Sequence, residues 1–472
     1  MPKHALLFLM LSLALAGRTE AAEPLSFEAF LQNTAQHHPQ AKAFNERLKA
    51  AEGAIKQAEG AFDARLDNTF YNRFEGFYTG QFNDLSVVKP LAPLNTEISV
   101  GYRQSDGTFP VYQDYYFTND QGEYNLKLAV SLLRDAFIDK DRFGVQISQL
   151  KLEETTYKNL SEQLMLQASA AEAYGQWVLA AQFLELNQSL LALAEKRQGG
   201  LKRRVETGDA AEILLTENQQ LIIQRQEKVR QAETDLENAR NNLVIFYRDT
   251  TGQVTPDEAA LTPPAKLPIL VPEKLSYSEA LLQDLFPRAP KLRVLDAALR
   301  QTERKRKLGE NNLLPKLDLE LYNAEDFGQG SPTRDGFESA FTVKLSVPLQ
   351  RRLGQGAVEQ ALAERRHLEL EQQLVRDQMQ AALRNSVNNI ELMRELIELG
   401  NQEIQIAEAM LQAELDAFDN GQSDILRINI REKNLFDAKM KWTKAMHNLF
   451  KAEVTYLVTT LGFEQLGLQQ PA

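Results

Sequence analysis

The sequence contains no cysteine among its 472 residues. Disulfide bonds, thiolate catalysis, cysteine-ligated zinc and a lipid anchor on an N-terminal cysteine are therefore excluded. Histidine is also scarce, and the five histidines, which include the adjacent pair His37 and His38, show no metal-ligand spacing. Neither a glycine-rich phosphate loop nor a Gly-x-Ser-x-Gly elbow is present. These absences argue against an enzyme and give no reason to expect a metal ion or a cofactor.

Positive charge is in deficit. Lys and Arg number 53 against 65 Asp and Glu, which gives a formal net charge of -12. A protein that binds nucleic acid needs a basic stripe to neutralise phosphates, and every cluster of Lys and Arg here is interrupted by acidic residues. Nucleic acid is therefore not expected as a partner.

Long apolar runs are missing after the first twenty residues. Ala5 to Ala16 form an apolar stretch behind Lys3, and small residues follow up to Ala21, which is typical of a secretory signal peptide. We predict cleavage after Ala21, although a cut after Ala16 also satisfies the small-residue rule. Beyond this signal, no stretch approaches the roughly 18 apolar residues of a membrane-spanning helix. The mature chain is expected to be periplasmic or to enter a membrane as strands.

The mature chain contains an internal repeat over nearly its whole length. Motifs of the first half recur in the same order in the second half: Leu25-Ser26-Phe27 as Leu275-Ser276-Tyr277, Arg65-Leu66-Asp67 as Lys316-Leu317-Asp318, and Gly208 as Gly421. A proline-rich segment separates the two halves. The repeat predicts five parts: a signal peptide (1–21), a first repeat (22–248), a linker (249–273), a second repeat (274–462) and a C-terminal tail (463–472).

Both halves contain segments in which apolar and polar residues alternate with a period of two, which predicts strands with one apolar and one polar face. These segments are 66–78, 95–103 and 123–130 in the first half and 317–322 and 341–347 in the second half. A transmembrane β-barrel with a wet lumen requires such strands. Strands of a soluble sandwich also alternate, so the strands by themselves leave both interpretations open.

Two proline-free stretches, 143–205 and 357–418, are predicted to be helices of roughly 60 residues, each about 90 Å long. Each is followed by a shorter helix with an apolar residue at every seventh position. These positions are Leu215, Ile222, Val229, Leu236 and Leu243 in the first half and Ile428, Leu435, Trp442, Leu449 and Tyr456 in the second half. Each half is therefore predicted to end in a coiled-coil hairpin that bends at Gly208 or Gly421.

The combination of long helices and few strands points to an oligomer. About four short strands cannot close a wide barrel within one chain. Because strand edges must be paired inside a bilayer, several copies of the chain are expected to contribute strands to one shared barrel.

The order and duplication of these features resemble the TolC family of outer membrane efflux proteins. The features that carry the resemblance are the helix starts at Pro39 and Pro290, the strand entries at 66–67 and 313–317, the strand exits at 130–133 and 347–349, and the hairpin tips at Gly208 and Gly421. The resemblance implies an α+β membrane protein. It would be a homotrimer with a 12-stranded outer-membrane β-barrel, about four strands per protomer, which continues into a long periplasmic α-helical coiled-coil barrel.

The resemblance also implies a function and partners. The protein is expected in the outer membrane, in contact with its lipid, as the exit duct of a tripartite efflux or type I secretion system. A periplasmic adaptor (membrane fusion) protein and an inner-membrane transporter would be its partners. The hairpin tips, with Gly208, Asp209, Gly421 and Gln422, would dock onto the adaptor and form an iris-like gate. Nothing in the sequence selects among drugs, metals, other small molecules and proteins as the exported substrate.

The first half departs from the family pattern between Gln81 and Gly122, where it carries extra residues. Because the chain leaves and re-enters the periplasm in each half, each half must cross the membrane an even number of times. Either the strand-like segment 85–89 pairs with 95–103 as a hairpin outside the barrel, which we favour, or the first half supplies more strands than the family norm.

The extra segment also contains an aromatic run. We expect these residues at the lipid interface, where tyrosine is enriched, with a cap over the outer mouth as the alternative. The residues are Tyr112, Tyr115, Tyr116 and Phe117.

A second departure concerns the gate. Family members carry acidic residues one and two turns after the second tip glycine, where this chain has Arg427 and Ile430. Asp424 is the nearest acidic residue, so a trimer would place rings of Asp424 and Arg427 at its axis. We therefore expect weaker cation selectivity than in the acidic type, or an anion preference. The alternative is that both side chains are solvated surface charges.

Two functions of other classes remain as alternatives. A periplasmic adaptor also has long helical hairpins, but it would have a single hairpin flanked by lipoyl-like strands. A structural coiled-coil protein of the envelope would not need strands with an apolar outer face. Outer-membrane fractionation separates both alternatives from an efflux channel.

Overall fold

The computed structural model describes residues 24–254, 261–275 and 277–469. The predicted signal peptide, 1–21, lies outside the described residues, as do parts of the predicted linker and tail. The described residues form α1 (Phe27–His37), α2 (Pro39–Glu59), β1 (Arg65–Arg73), β2 (Gly80–Leu91), β3 (Thr96–Gly107), β4 (Glu123–Ser131), α3 (Lys140–Glu206) and α4 (Ile213–Leu243) in the first half. The second half contains α5 (Glu279–Leu285), α6 (Pro290–Asn311), β5 (Lys316–Asp326), β6 (Gly336–Ser346), α7 (Arg352–Asp419) and α8 (Ile425–Thr460).

The element order repeats: two helices, a group of strands, a very long helix and a shorter helix. Local sequence signals explain the matching starts. The Ser26 hydroxyl caps α1 by accepting a hydrogen bond from the Ala29 amide, and the Ser278 hydroxyl caps α5 through the Leu281 amide. Proline occupies the first position of both α2 and α6, where its missing N–H costs nothing. Both halves therefore begin with the same helical pair.

All strands belong to one antiparallel sheet in the order β1-β2-β3-β4-β5-β6. The α+β fold class predicted from the sequence is confirmed, but the count of about four strands per protomer is wrong. Leu85 pairs with Tyr102 of β3, as expected for a hairpin, and also with Asn68 of β1. Val100 of β3 pairs with Leu126 of β4. The extra hairpin is thus an integral part of the sheet and does not lie outside it.

The number of strands in each half is even, as the sequence analysis required. The first half contributes four strands and the second half two. A short connection, 92–95, joins β2 to β3 at the end of the sheet near the helices, where the Lys89 ammonium group donates a hydrogen bond of 2.6 Å to the Phe62 carbonyl. The longer loops, 74–79, 108–122 and 327–335, all lie at the opposite end of the sheet.

The predicted long helices are confirmed and extend slightly beyond their predicted ends. Helices α3 and α7 have 67 and 68 residues, which corresponds to about 100 Å each. The seven-residue spacing of the shorter helices forms their buried side, with Ile222 and Val229 in α4 and Ile428 and Leu449 in α8 all under 9% exposed. No helix in the described part of the chain is long and apolar enough to cross a membrane.

The main hydrophobic core lies at the middle of α3, far from both the sheet and the hairpin tips. Trp177 and Tyr174 are each 1% exposed, and Phe30 of α1 and Phe450 of α8 pack into the same cluster. The described end of the connector between the halves packs against this core, because Leu267 and Val271 are buried in it. The Leu270 amide donates a hydrogen bond of 2.8 Å to the Glu453 carboxylate of α8. Residues 267–271 of the connector therefore link the core to α8.

Candidate functional site

One face of the sheet is apolar and exposed across all six strands. Strand pairing places Leu66, Val87, Val100 and Leu126 side by side on β1 to β4. Each of these side chains is more than 40% exposed. On β5 and β6, exposed apolar residues lie on the same face; they are Leu321, Phe337, Phe341, Val343 and Leu345. Such a surface is expected of a protein whose sheet contacts an apolar solvent.

The opposite face of the sheet is polar and carries a network of charges. The Arg103 guanidinium of β3 lies 2.7 Å from the Asp84 carboxylate of β2 and 3.7 Å from the Glu123 carboxylate of β4. The Tyr322 hydroxyl of β5 donates a hydrogen bond of 2.6 Å to Glu123. Four strands from both halves of the chain therefore meet in one ion cluster. Two faces of opposite character are the defining property of a barrel wall with a wet lumen.

The aromatic run of the β3–β4 loop lies on the polar face. The Tyr116 ring stacks on Phe82 at a centroid distance of 4.5 Å, and Phe82 stacks on Tyr71 at 5.3 Å. Both Phe82 and Tyr71 share the face of Arg103 and not that of Leu66. The expected location at a lipid interface is therefore wrong for Tyr116. The rings pack inward because alternation directs Tyr71 and Phe82 to the polar side, where they provide a stacking surface.

The two hairpin tips have the same backbone structure. Gly208 and Gly421 adopt φ of +80° and +74°, and no atom would contact a Cβ at either position. In the first tip the Asp209 amide donates to the Arg204 carbonyl at 2.7 Å, and in the second the Gln422 amide donates to Ala417 at 2.7 Å. Each is a Schellman termination of the long helix, in which glycine avoids the Cβ penalty of the left-handed region.

Asp424 and Arg427 lie immediately after the second tip, at the start of α8. The Asp424 carboxylate caps α8 by accepting a hydrogen bond of 2.9 Å from the Arg427 amide. The two side chains are 3.9 Å apart and are 63% and 64% exposed. The structure therefore places the candidate gate residues together, and it gives Asp424 a structural task as a helix cap.

Sequence reasoning missed several features near the tips. Exposed apolar side chains flank both tips, with Ile213 on α4 and Leu426 and Ile430 on α8. The Arg204 guanidinium lies 4.9 Å from the centre of the Phe418 ring, so the end of α3 contacts the end of α7. The isoleucine and leucine residues beside the glycine turns are visible in the sequence, but their exposure is not. The contact between α3 and α7 depends on tertiary packing.

A second missed feature is a buried charge between the two hairpins. Glu432 of α8 is 4% exposed and forms ion pairs with Arg197 of α3 and Arg225 of α4. The Arg225 contact is 2.9 Å. Burial lowers the pKa of Arg225 below its ordinary value, while Glu432 opposes this shift. One carboxylate thus joins three helices from both repeats.

Closer to the second tip, Glu414 of α7 connects the two arms of the hairpin. The Ser423 hydroxyl donates a hydrogen bond to the Glu414 carboxylate, and the Arg431 guanidinium lies 3.3 Å from it. These partners, Ser423 foremost, hold the pKa of Glu414 below its usual value. The carboxylate is therefore charged and paired across the start of α8.

The comparisons with known proteins agree with this geometry. The family model for outer membrane efflux proteins matches residues 281–462. No curated protein matches the chain. Among solved structures, the chain is similar to the outer membrane protein VceC of Vibrio cholerae, with 14% identity, a TM-score of 0.67 and coverage of 94% of this chain and 97% of that chain.

Two further solved structures show the same likeness. The MtrE outer membrane channel of Neisseria gonorrhoeae, in its open state, has 13% identity and a TM-score of 0.67, with 94% of this chain and 89% of that chain covered. The CmeC outer membrane channel of Campylobacter jejuni has 11% identity and a TM-score of 0.65, with 100% and 95% covered. At such low identity these structures establish the fold.

The family match covers the second repeat from α5 to the end of α8, and the shared fold covers nearly the whole chain. The second repeat therefore matches the family of outer membrane efflux proteins, and nearly the whole chain has the fold of solved outer membrane channels.

Proposed function

We propose that the protein is the exit duct of a tripartite efflux or type I secretion system, with three copies forming one channel. The observation that carries this proposal is the direct continuation of a sheet with an apolar outer face and a polar inner face into helices of about 100 Å. A sheet crossing the outer membrane would thus be joined to a tunnel long enough to reach partners in the periplasm.

The repeated frame supports this function over its alternatives. An adaptor would have a single hairpin, whereas this chain has two, at Gly208 and Gly421. A structural coiled-coil protein would have no use for the exposed apolar face of the strands. We further propose that the division into repeats 22–248 and 274–462 lets three chains present six equivalent hairpins around one axis.

We propose that the hairpin tips dock onto a periplasmic adaptor. Gly208 with Asp209 and Gly421 with Gln422 supply two tips of the same backbone shape, so one adaptor surface can recognise both. The exposed Leu426 and Ile430 add apolar area next to the second tip. An inner-membrane transporter would supply the energy for export.

We propose Asp424 and Arg427 as the charged residues at the periplasmic entrance. Both side chains are exposed to solvent. Because their charges are opposite, the pair leaves little net charge at the entrance. At the corresponding positions of the first tip the chain carries Ala211 and Leu214, which are uncharged. At these two positions, a trimer would therefore carry charges from only one of its two tip types.

Single-channel recording in planar bilayers tests both the channel and its entrance. The purified protein is expected to give discrete conductance steps, and Arg427→Asp is expected to raise its cation preference because three positive charges become three negative ones. Leu214→Asp, at the matched position of the first tip, serves as the control. A conducting Arg427→Asp channel with unchanged selectivity would remove Arg427 from the entrance. If oligomers that are shown to be inserted in the membrane never conduct, even after substitutions that weaken both hairpin tips, the proposal that the protein is a channel is wrong.

A further inference from the structure

The β2–β3 hairpin is paired along both of its sides. Residues 80–88 of β2 pair with 65–73 of β1, and residues 97–103 of β3 pair with 123–129 of β4. The hairpin therefore stands between two strands that lead directly into helices. Removing it from the sheet would break both sets of hydrogen bonds, and β1 and β4 would then have to pair with each other to leave no backbone groups unpaired in an apolar environment.

The hairpin also continues the apolar outer face through the middle of the sheet. In the row Leu66–Val87–Val100–Leu126, the two middle residues belong to the hairpin and are 50% and 57% exposed. In the next row, Ile98 of β3 lies beside Leu128 of β4. The opposite face of the hairpin carries Asp84, Ser86 and Arg103. The hairpin thus has the same two-faced character as its neighbours.

The connections of the hairpin follow the pattern of strands that cross an outer membrane. Its turn at 92–95 is short and lies at the helical end of the sheet, whereas the loops before and after it, 74–79 and 108–122, lie at the far end. Short periplasmic turns and longer outer loops are the rule in outer-membrane barrels. Lys89, whose side chain reaches the Phe62 carbonyl, lies at the helical end, where a charged group can leave the apolar layer.

The free edges of the sheet are suited to a second copy of the chain. β1 and β6 each have one unpaired edge, and every residue of β6 is exposed. Because five successive pairings are antiparallel, β1 and β6 run in opposite directions. β6 of one copy can therefore pair with β1 of the next in the same antiparallel manner, which leaves no edge open to lipid.

We propose that every subunit contributes all six strands to the shared barrel, so that a trimer encloses an eighteen-stranded barrel and not a twelve-stranded one. This inference rests on the proposed trimeric channel. With strands about 4.8 Å apart and tilted by about 40°, the backbone diameter rises from about 24 Å for twelve strands to about 36 Å for eighteen. The barrel is about 1.5-fold wider than four strands per subunit would allow.

Counting strands in the assembled protein tests the proposal directly. Electron cryomicroscopy of the full chain in lipid nanodiscs is expected to show three subunits and eighteen strands around one lumen. Three subunits with twelve wall strands, and the β2–β3 hairpin outside the wall, would overturn the proposal while leaving the proposed channel intact. A monomeric or open assembly would contradict the proposed trimer instead.

A second test uses the absence of cysteine, because a single introduced cysteine can carry a bimane fluorophore. Val87→Cys and Val100→Cys place the label on the outer face of the hairpin, and Leu126→Cys places it on β4 in the same row. In vesicles of brominated phosphatidylcholine, we expect the bromine atoms to quench all three labels to the same degree. Ser86→Cys, on the inner face of β2, should instead be quenched by aqueous iodide.

The pattern of quenching separates the possible failures. If bromolipid quenches the label at Leu126 while those at Val87 and Val100 respond only to iodide, the hairpin does not contact lipid and the proposal is wrong. If the label at Leu126 also escapes bromolipid, the sheet is not in the membrane, which contradicts the proposed function on which this inference rests.

Discussion

The two repeats agree closely in their helices and differ in their strands. α3 and α7 differ in length by one residue, and both end at a left-handed glycine with the same pair of hydrogen bonds. By contrast, the first repeat supplies four strands and the second only two. The helical parts have kept the shape of a duplicated unit, whereas the sheet has not.

Packing explains this difference. A helix about 100 Å long contacts neighbours along its whole length, so a change in length or in the place of the turn shifts every contact beyond it. An added β-hairpin pairs with itself and with both neighbours, and it keeps the number of crossings even. The sheet can therefore grow by whole hairpins while the helices cannot. Substitutions at matched positions can show how far the two helical hairpins are equivalent.

The largest difference between the hairpins is expected at Glu432. Its carboxylate is buried between Arg197 and Arg225, and the equivalent position of the first repeat is the exposed Gln219. Glu432→Ala leaves the buried guanidinium of Arg225 and the partly buried one of Arg197 without their ion-pair partner and should lower the free energy of unfolding by about 3–5 kcal/mol. Urea denaturation in detergent, followed by tryptophan fluorescence, measures the change.

Gln219→Ala is the matched control for this comparison and should change the stability by less than about 0.5 kcal/mol. Equal losses in the two variants would show that the ion pairs of Glu432 contribute nothing measurable. The hairpins would then be equivalent here despite their different residues.

The tip glycines are expected to be equivalent. Alanine at Gly208 or Gly421 must adopt a left-handed conformation, which should cost about 1–2 kcal/mol at either position. Because no atom lies where the new Cβ would be, the cost is conformational and should be the same for both. Hydrogen exchange at the ends of α3 and α7 reports the loss locally. A clearly larger effect at one tip would break the equivalence of the two turns.

The helix starts after the tips are expected to differ. Asp424→Ala removes the carboxylate that caps α8 and should cost about 1 kcal/mol. No side chain caps α4, so Ala211→Asp should add a similar stabilisation there. Amide exchange in the first turns of α8 and α4 measures both changes. If Asp424→Ala leaves exchange in α8 unchanged, the carboxylate is not acting as a cap.

The smallest effect concerns pH. His447 of α8 is 9% exposed, and burial is the main cause that lowers its pKa, with Lys451 adding to the shift and Glu172 opposing it. A lowered pKa in the folded state means that this histidine contributes stability above pH of about 6.5, which is lost as the pH falls below that value. From pH 8 to pH 5, the free energy of unfolding of the wild type should therefore fall more than that of His447→Gln.

The equivalent residue of the first repeat is Thr234, which is exposed and does not titrate. Thr234→Gln is thus the control, and its stability relative to wild type should not depend on pH. If the free energies of unfolding of the wild type and of His447→Gln change in parallel from pH 8 to pH 5, His447 keeps an ordinary pKa.

Much of the fold could be predicted from local patterns. The 3.6-residue and seven-residue periods identified the helices and their buried sides, and alternation identified both faces of the strands. The turns at Gly208 and Gly421 followed from the need for a left-handed residue between two helices. These features depend on residues close together in the chain, so the sequence contains the whole signal.

The candidate site was less predictable. The sequence placed Asp424 and Arg427 after the second tip, but it gave no sign that Asp424 caps α8 through the Arg427 amide. The buried Glu432 looked like any other helical glutamate, because its partners Arg197 and Arg225 are more than 200 residues away in the chain. Such contacts depend on how the hairpins pack.

The sequence by itself determined the duplicated frame, the two long hairpins with their glycine turns, and the two-faced character of the strands, because each follows from local periodicity and backbone preference. Only the tertiary structure decided that the β2–β3 hairpin belongs to the sheet and that Tyr116 packs on its polar side. Strand alternation shows which residues share a face, but hydrogen bonds between distant segments decide which strands are neighbours. That pairing sets the number of strands in the sheet, and in the proposed barrel it therefore sets the width of the channel.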